Sequence, residues 1–136
     1  MKYSSGNIYD GDWNDNVKEG TGKMVWTDLS QTYEGEWKAG APDGFGIHES
    51  NFASLRGHQY PKQNVYTGCF QAGKRHGHGT MQYASGAIYE GSWHENIKHG
   101  SGKYISENGR VYIGEFENDH TVEPFTRSAN GKQQII

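Results

Sequence analysis

The chain has 136 residues, of which 32% are apolar, 21% charged and 13% aromatic, with 20 glycines and only 3 prolines. That length holds one domain, the apolar share is too small for a thick two-layer core, and the rings argue against a disordered tail. A net charge of −3 gives nucleic acid no general electrostatic attraction. Cys69 is the single cysteine, so no intrachain disulfide forms and a reducing compartment is expected. No secretory apolar segment and no membrane-length apolar run occur, so neither export nor membrane spanning is expected. Aromatics combined with glycine read as β-structure with tight turns.

The first segment, MKYSSGN, looks like the second half of an earlier unit, with Tyr3 placed as Tyr83 is placed before Tyr89. The chain is therefore expected to be a segment of a longer array. A unit then repeats: YDGDW from Tyr9, YEGEW from Tyr33, YTGCF from Tyr66, YEGSW from Tyr89 and YIGEF from Tyr112, in steps of 24, 33, 23 and 23 residues. Eleven residues after each of the first four tyrosines comes Gly–x–Gly, at Gly20, Gly44, Gly77 and Gly100. Asn16, Gly40, Gly73, Asn96 and Asp119 stand between at a fixed offset, residue types that tolerate positive φ in a turn. The long step carries about ten extra residues within 48–64, an elongated or looped-out hairpin arm whose Phe52, Leu55 and Tyr60 are apolar enough to pack or meet a partner. After Phe116 the pattern stops and Pro124 opposes a central strand. Four full repeats plus terminal half repeats occupy 1–126, and 127–136 is an irregular tail.

Each unit fits a β-hairpin. Tyr66, Gly68 and Phe70 alternate onto one face of the first strand. With a turn around Ala72–Arg75, Phe70 lies opposite Gly77, Gly68 opposite Gly79 and Tyr66 opposite Met81. The glycines then leave room for large rings to lie flat across the sheet. Ser85–Gly86 and Asn108–Gly109 turn the chain into the next hairpin. The expected fold is all-β: an elongated, single-layer antiparallel meander advancing about 10 Å per repeat, twisted into a ribbon or trough.

The pattern YxGxW followed by GxGx, over about residues 3–116, resembles the MORN repeat (membrane occupation and recognition nexus). SGAIYEGSWHENIKHGSGKY, ENGRVYIGEFENDH and the insert HQYPKQNVYTGCF are similar to the radial spoke head MORN proteins. That resemblance implies a structural part of the radial spoke head in the axoneme of a motile cilium or flagellum, facing the central pair.

Residues that carry chemistry elsewhere read here as structural. GKRHGHGT is Gly-rich and basic but lacks the Lys–Ser/Thr of a phosphate loop and precedes a strand, not a helix. His76 and His99 hold the same position in successive repeats, about 10 Å apart, too far for one zinc ion; neither a metal nor a cofactor is expected. Asp10, Asp12, Glu34, Glu36, Glu90 and Glu115 recur on the face opposite the rings, where similar environments give no acid–base pair. No catalytic arrangement is evident, and an enzyme is not expected. Lys18, Arg75 and Lys98, with Lys74 beside them, form a basic column that an anionic membrane surface or phosphoinositide would attract at about 1 kcal/mol each, against net acidity and Pro42 in the second repeat.

The aromatic face comprises Tyr9, Trp13, Tyr33, Trp37, Tyr66, Phe70, Tyr89, Trp93, Tyr112 and Phe116. Most of its surface packs on itself and on glycine. Because one sheet has little to cover it, part is expected to stay open as a trough for a partner's peptide or helix. The sheet edges offer pairing with another chain, a second copy included. A non-catalytic scaffold among axonemal proteins is the expected function, and a membrane-surface adaptor the alternative.

Overall fold

The computed structural model describes residues 1–4, 6–51 and 63–122. Ten strands follow one another: β1 (Ile8–Asn14), β2 (Val17–Trp26), β3 (Gln31–Lys38), β4 (Ala41–Asn51), β5 (Gln63–Gln71), β6 (Lys74–Gln82), β7 (Ile88–His94), β8 (Ile97–Ile105), β9 (Val111–Glu117) and β10 (His120–Thr121). A single 3₁₀ turn, Thr27–Leu29, lies between β2 and β3 among the described residues. Strand order in the one open sheet is the chain order, and each strand is antiparallel to the next. The expected meander is the observed fold.

Five hairpin turns set the repeat. Each has two residues with positive φ: Asp15 and Asn16, Ala39 and Gly40, Ala72 and Gly73, Glu95 and Asn96, Asn118 and Asp119. Two successive positive φ values make the turn whose twist matches paired strands. Between repeats, the expected glycine turns are present. Gly86 and Gly109 have positive φ and donate to the carbonyls of Tyr83 and Ser106, both at 2.9 Å.

Register agrees with expectation at Gly68 opposite Gly79 and Tyr66 opposite Met81, and departs from it beyond. Phe70 faces Arg75, not Gly77, across a bulge. A two-residue turn closes Gln71 directly on Lys74, so β6 carries surplus residues that Gly77 absorbs at φ 91°. Gly77 consequently faces Trp93 of the next repeat. The same irregularity recurs at Gly11/Trp13, Gly35/Trp37 and Gly91/Trp93.

The enlarged step is in part a longer hairpin arm, with pairing carried to Asn51 against Gln63. Phe52, Leu55 and Tyr60 lie outside the described residues, as do Pro124 and the whole of 127–136. The core is a file of rings on one face of the sheet, with Met24 and Met81 set into it.

Candidate functional site

Each Tyr–x–Gly–x–aromatic run builds one rung of that file. The Tyr66 ring lies along its own strand over a glycine pair. A Cβ on Gly79 would stand 2.1 Å from the Tyr66 hydroxyl, and one on Gly68 2.4 Å from the Gly79 Cα. The hydroxyl reaches the backbone three residues on, donating to the Cys69 carbonyl at 2.8 Å. Tyr9, Tyr33, Tyr89 and Tyr112 make the corresponding bonds to Asp12, Glu36, Ser92 and Glu115. Burial is the first cause that raises the pKa of Tyr9, Tyr33, Tyr66 and Tyr89, and it pushes Tyr89 up to about 12.

The fourth residue after each tyrosine closes the rung and links it to the preceding one. Tyr66 meets Phe70 edge-on at 5.0 Å and Trp93 at 5.4 Å. Tyr9 likewise meets Trp13 and Trp37, Tyr33 meets Trp37 and Phe70, and Tyr89 meets Trp93 and Phe116. The indole N–H groups of Trp37 and Trp93 donate to the carbonyls of Gly22 and Gly79 in the preceding repeats. Edge-to-face geometry adds about 0.5–1.5 kcal/mol per pair to the area buried.

This packing corrects the expectation of an open ring surface. Nine of the ten predicted rings are buried, and Trp13, at the first strand, is 41% exposed. Tyrosines sunk over glycine pairs, those from Tyr9 to Tyr89 each gripped by aromatics of two repeats, leave little ring area for solvent. Beside the buried file stand half-buried Tyr3, Trp26, Tyr83 and Tyr104, packed against the core.

The basic column is corrected in the same way. Lys18 sits over Tyr3, Tyr9, Trp13 and Trp37 at 5.3–5.8 Å. Arg75 stands 4.9 Å over Trp93 and donates to the Asn96 carbonyl. Lys98 lies over Tyr83, Tyr89 and Trp93 and pairs with Asp119 at 3.4 Å. These cations cover rings, each interaction contributing about 0.5–2 kcal/mol. Their backbones stitch repeats together, the carbonyls of Lys18, Arg75 and Lys98 accepting from the next turn's Gly40, Asn96 and Asp119. Lys74 alone of the four is exposed.

On the opposite face the acidic residues have local work. Asp12 accepts from the Thr21 N–H and hydroxyl, Glu36 from the Phe45 N–H, and Glu115 from the Ser101 hydroxyl. Asp12 and Glu36 thus satisfy backbone donors that the Gly–x–Gly bulge takes out of the ladder. The spacing argument for His76 and His99 missed His94, whose ring lies 4.9 Å from the first and 6.1 Å from the second. No group of three or more His, Cys, Asp or Glu among the described residues is placed to hold a metal ion. None of their helices is long and apolar enough to cross a membrane.

The MORN repeat pattern matches residues 9–31, 33–50, 66–88 and 89–109. MORN repeat-containing protein 3 of Xenopus laevis is 36% identical over 81 residues, 60% of this chain and 32% of that protein. Alsin of Rattus norvegicus is 30% identical over 92 residues, 54% of this chain and 6% of alsin, and human alsin is 29% identical over the same span. The chain spans about a third or less of the curated relatives it matches. With the repeat pattern matched over more than half its length, in register with every buried tyrosine from Tyr9 to Tyr89, the chain belongs to the MORN repeat family.

Proposed function

We propose that this chain is a non-catalytic scaffold that holds neighbouring proteins in register, as a structural part of the radial spoke head in the ciliary or flagellar axoneme. The observation that carries the scaffold reading is the division of the aromatic residues. Buried rings stiffen the ribbon, while Trp26 and Tyr83, packed against them, remain only half-buried. Aromatics of that kind are favoured anchors for a protein partner, here a peptide or helix laid across the strands. The spoke-head assignment is supported by the likeness of residues 85–104 and 107–120 to radial spoke head MORN proteins. On this reading the protein belongs to the cytoskeleton. The membrane-adaptor reading loses support because Lys18, Arg75 and Lys98 lie over rings.

The test places a photoreactive benzoylphenylalanine at Tyr83 in ciliated cells. Cross-links to spoke proteins that stay with the detergent-extracted axoneme are expected, and Trp26→Ala should weaken them more than tenfold while the strand circular dichroism persists. Cross-linking to lipid, or none, overturns the reading. Binding of the purified chain to phosphoinositide vesicles, abolished by Lys74→Glu, would put the membrane reading in its place.

A further inference from the structure

On the face opposite the rings, the four bulges are alike in backbone and unlike in charge. Each sets one residue of its first strand against three of its second. In the first two, Asp12 stands against residues 19–21 and Glu36 against residues 43–45, so Glu19 and Asp43 bring each bulge to two carboxylates. Asp12 and Glu36 accept from the N–H groups of Thr21 and Phe45 at 3.0 and 2.6 Å. In the last two, Cys69 stands against residues 76–78 and Ser92 against residues 99–101, with no carboxylate in either. His78 and Ser101 occupy the places of Thr21 and Phe45, yet no side chain among the described residues accepts from their N–H groups. Histidine replaces the acids: His94 lies 4.9 Å from His76 and 6.1 Å from His99, ring to ring, and His78, His94 and His99 are exposed.

We propose that the third and fourth bulges form a docking site for an acidic segment of a partner protein, whose carboxylates take the places that Asp12 and Glu36 hold in the first two. The proposal rests on the scaffold reading and adds a second surface, on the face away from the ring file. The first two bulges show the occupied state, a carboxylate on a backbone donor that the ladder leaves over. Successive bulges are two strands apart, about 10 Å, which an extended peptide spans in three residues. The fitting pattern is therefore acid–x–x–acid. Phe45, opposite Cys69 and 54% exposed, borders the site and offers the partner an apolar contact.

The charged groups around the histidines leave the place to an incoming acid. Lys74 begins β6 and Glu95 lies in the turn after β7. Glu90 faces Thr80 and Lys103 across its neighbouring strands. At the borders, the Asp43 carboxylate accepts from the Ala72 N–H and that of Glu115 from the Ser101 hydroxyl. A second copy is a poor source, since Asp12, Glu36, Asp43 and Glu115 already accept bonds within their own chain. Histidine ordinarily gains its proton near pH 6.5 and glutamate keeps its charge to about pH 4.3, so docking strengthens as pH falls between those values.

The test measures fluorescence anisotropy of a rhodamine-labelled peptide, EGSEGSE, with the full chain. Saturable binding is expected, at least fivefold tighter at about pH 5.5 than at about pH 7.5. His94→Gln with His99→Gln should remove that difference. Cys69→Asp with Ser92→Asp fills both places from within and should weaken binding at least tenfold while the strand circular dichroism persists. The proposal is overturned by no saturable binding at millimolar peptide, by equal binding of QGSQGSQ, or by undiminished binding to the Cys69→Asp, Ser92→Asp protein. Sedimentation that shows acid-induced dimers without peptide also overturns it, because a second copy then covers the face. Phosphatidylserine vesicles bound in place of the peptide overturn it in favour of a membrane. If the peptide fails while Tyr83 cross-links persist, the scaffold reading stands and only this surface is lost.

Discussion

Gly79→Ala probes the reason this sequence spends glycine inside strands. The added methyl meets the Tyr66 hydroxyl at 2.1 Å, Cζ at 2.3 Å and Cε1 at 2.5 Å, so the ring must retreat by more than an ångström. Tyr66 is fully buried and wedged between Phe70 and Trp93, so there is no slack. Overpacking of this kind costs about 1–3 kcal/mol, and displacing the buried hydroxyl from the Cys69 carbonyl costs about 1–3 kcal/mol more. Alanine's lower unfolded-state entropy offsets roughly 0.5–1 kcal/mol. The net loss is about 1–5 kcal/mol, or roughly 3–15 °C in Tm. Urea unfolding followed by circular dichroism measures it. Tyr66→Phe in the same background removes the nearest atom and leaves the two ring carbons in conflict, so rescue is partial, with a coupling of about 1 kcal/mol. Gly86→Ala serves as control: nothing lies within 4 Å, yet φ is +103°, so it costs about 1–2 kcal/mol that Tyr66→Phe leaves untouched. A Gly79→Ala protein within 0.5 kcal/mol of wild type (~0.5 is the ordinary effect of a neutral surface change), or with no coupling to Tyr66, refutes the ring-seat explanation.

Other predictions test the same packing. Trp93→Ala should cost about 3–5 kcal/mol and Trp13→Ala about 1 kcal/mol or less, by thermal unfolding, because one indole is buried and the other is not; equal losses would contradict the ladder. At high pH, unfolded tyrosine titrates near 10, whereas burial pushes Tyr89 up to about 12. Its contribution is complete below pH 10 and is lost as pH rises towards 12, so Tyr89→Phe should flatten that alkaline decline; an unchanged decline counts against it. His48 has its pKa lowered, first by burial and then by the Arg75 charge. Its contribution is present above about pH 6.5 and is lost as pH falls, so wild type should lose stability on acidification more steeply than His48→Gln, and identical acid limbs would exclude that role.

The repeat was legible because Tyr–x–Gly–x–aromatic and Gly–x–Gly recur in fixed register, and each member has a steric reason to be there. Asn16, Gly40, Gly73, Asn96 and Asp119 announced the second residue of every hairpin turn. Three of their neighbours gave no signal: Ala39, Ala72 and Glu95 adopt positive φ through the closure of the turn rather than by preference. A turn two residues shorter than the expected Ala72–Arg75 moves Phe70 from Gly77 to Arg75. The depth of the rings was misjudged because an isolated sheet was counted as bare on both faces. Lys18, Arg75 and Lys98 read as a surface column, yet the bulge turns them over the indoles. Tyr3 and Tyr83 were seen to correspond, but Trp26 was not joined to them because its position holds Ser50 in the second repeat, so no column was visible. His94 was hidden for the same reason, standing where Lys38 and Gln71 stand in other repeats.

Scaffold and membrane adaptor separate most cleanly in detergent fractionation of ciliated cells expressing the tagged chain. The protein is expected to stay with the salt-resistant axoneme after membranes dissolve, and Trp26→Ala with Tyr83→Ala to release it while the ribbon remains folded. Release of the wild-type chain with the detergent-soluble membrane fraction would overturn the scaffold reading and make Lys74 with its neighbouring turns the functional surface.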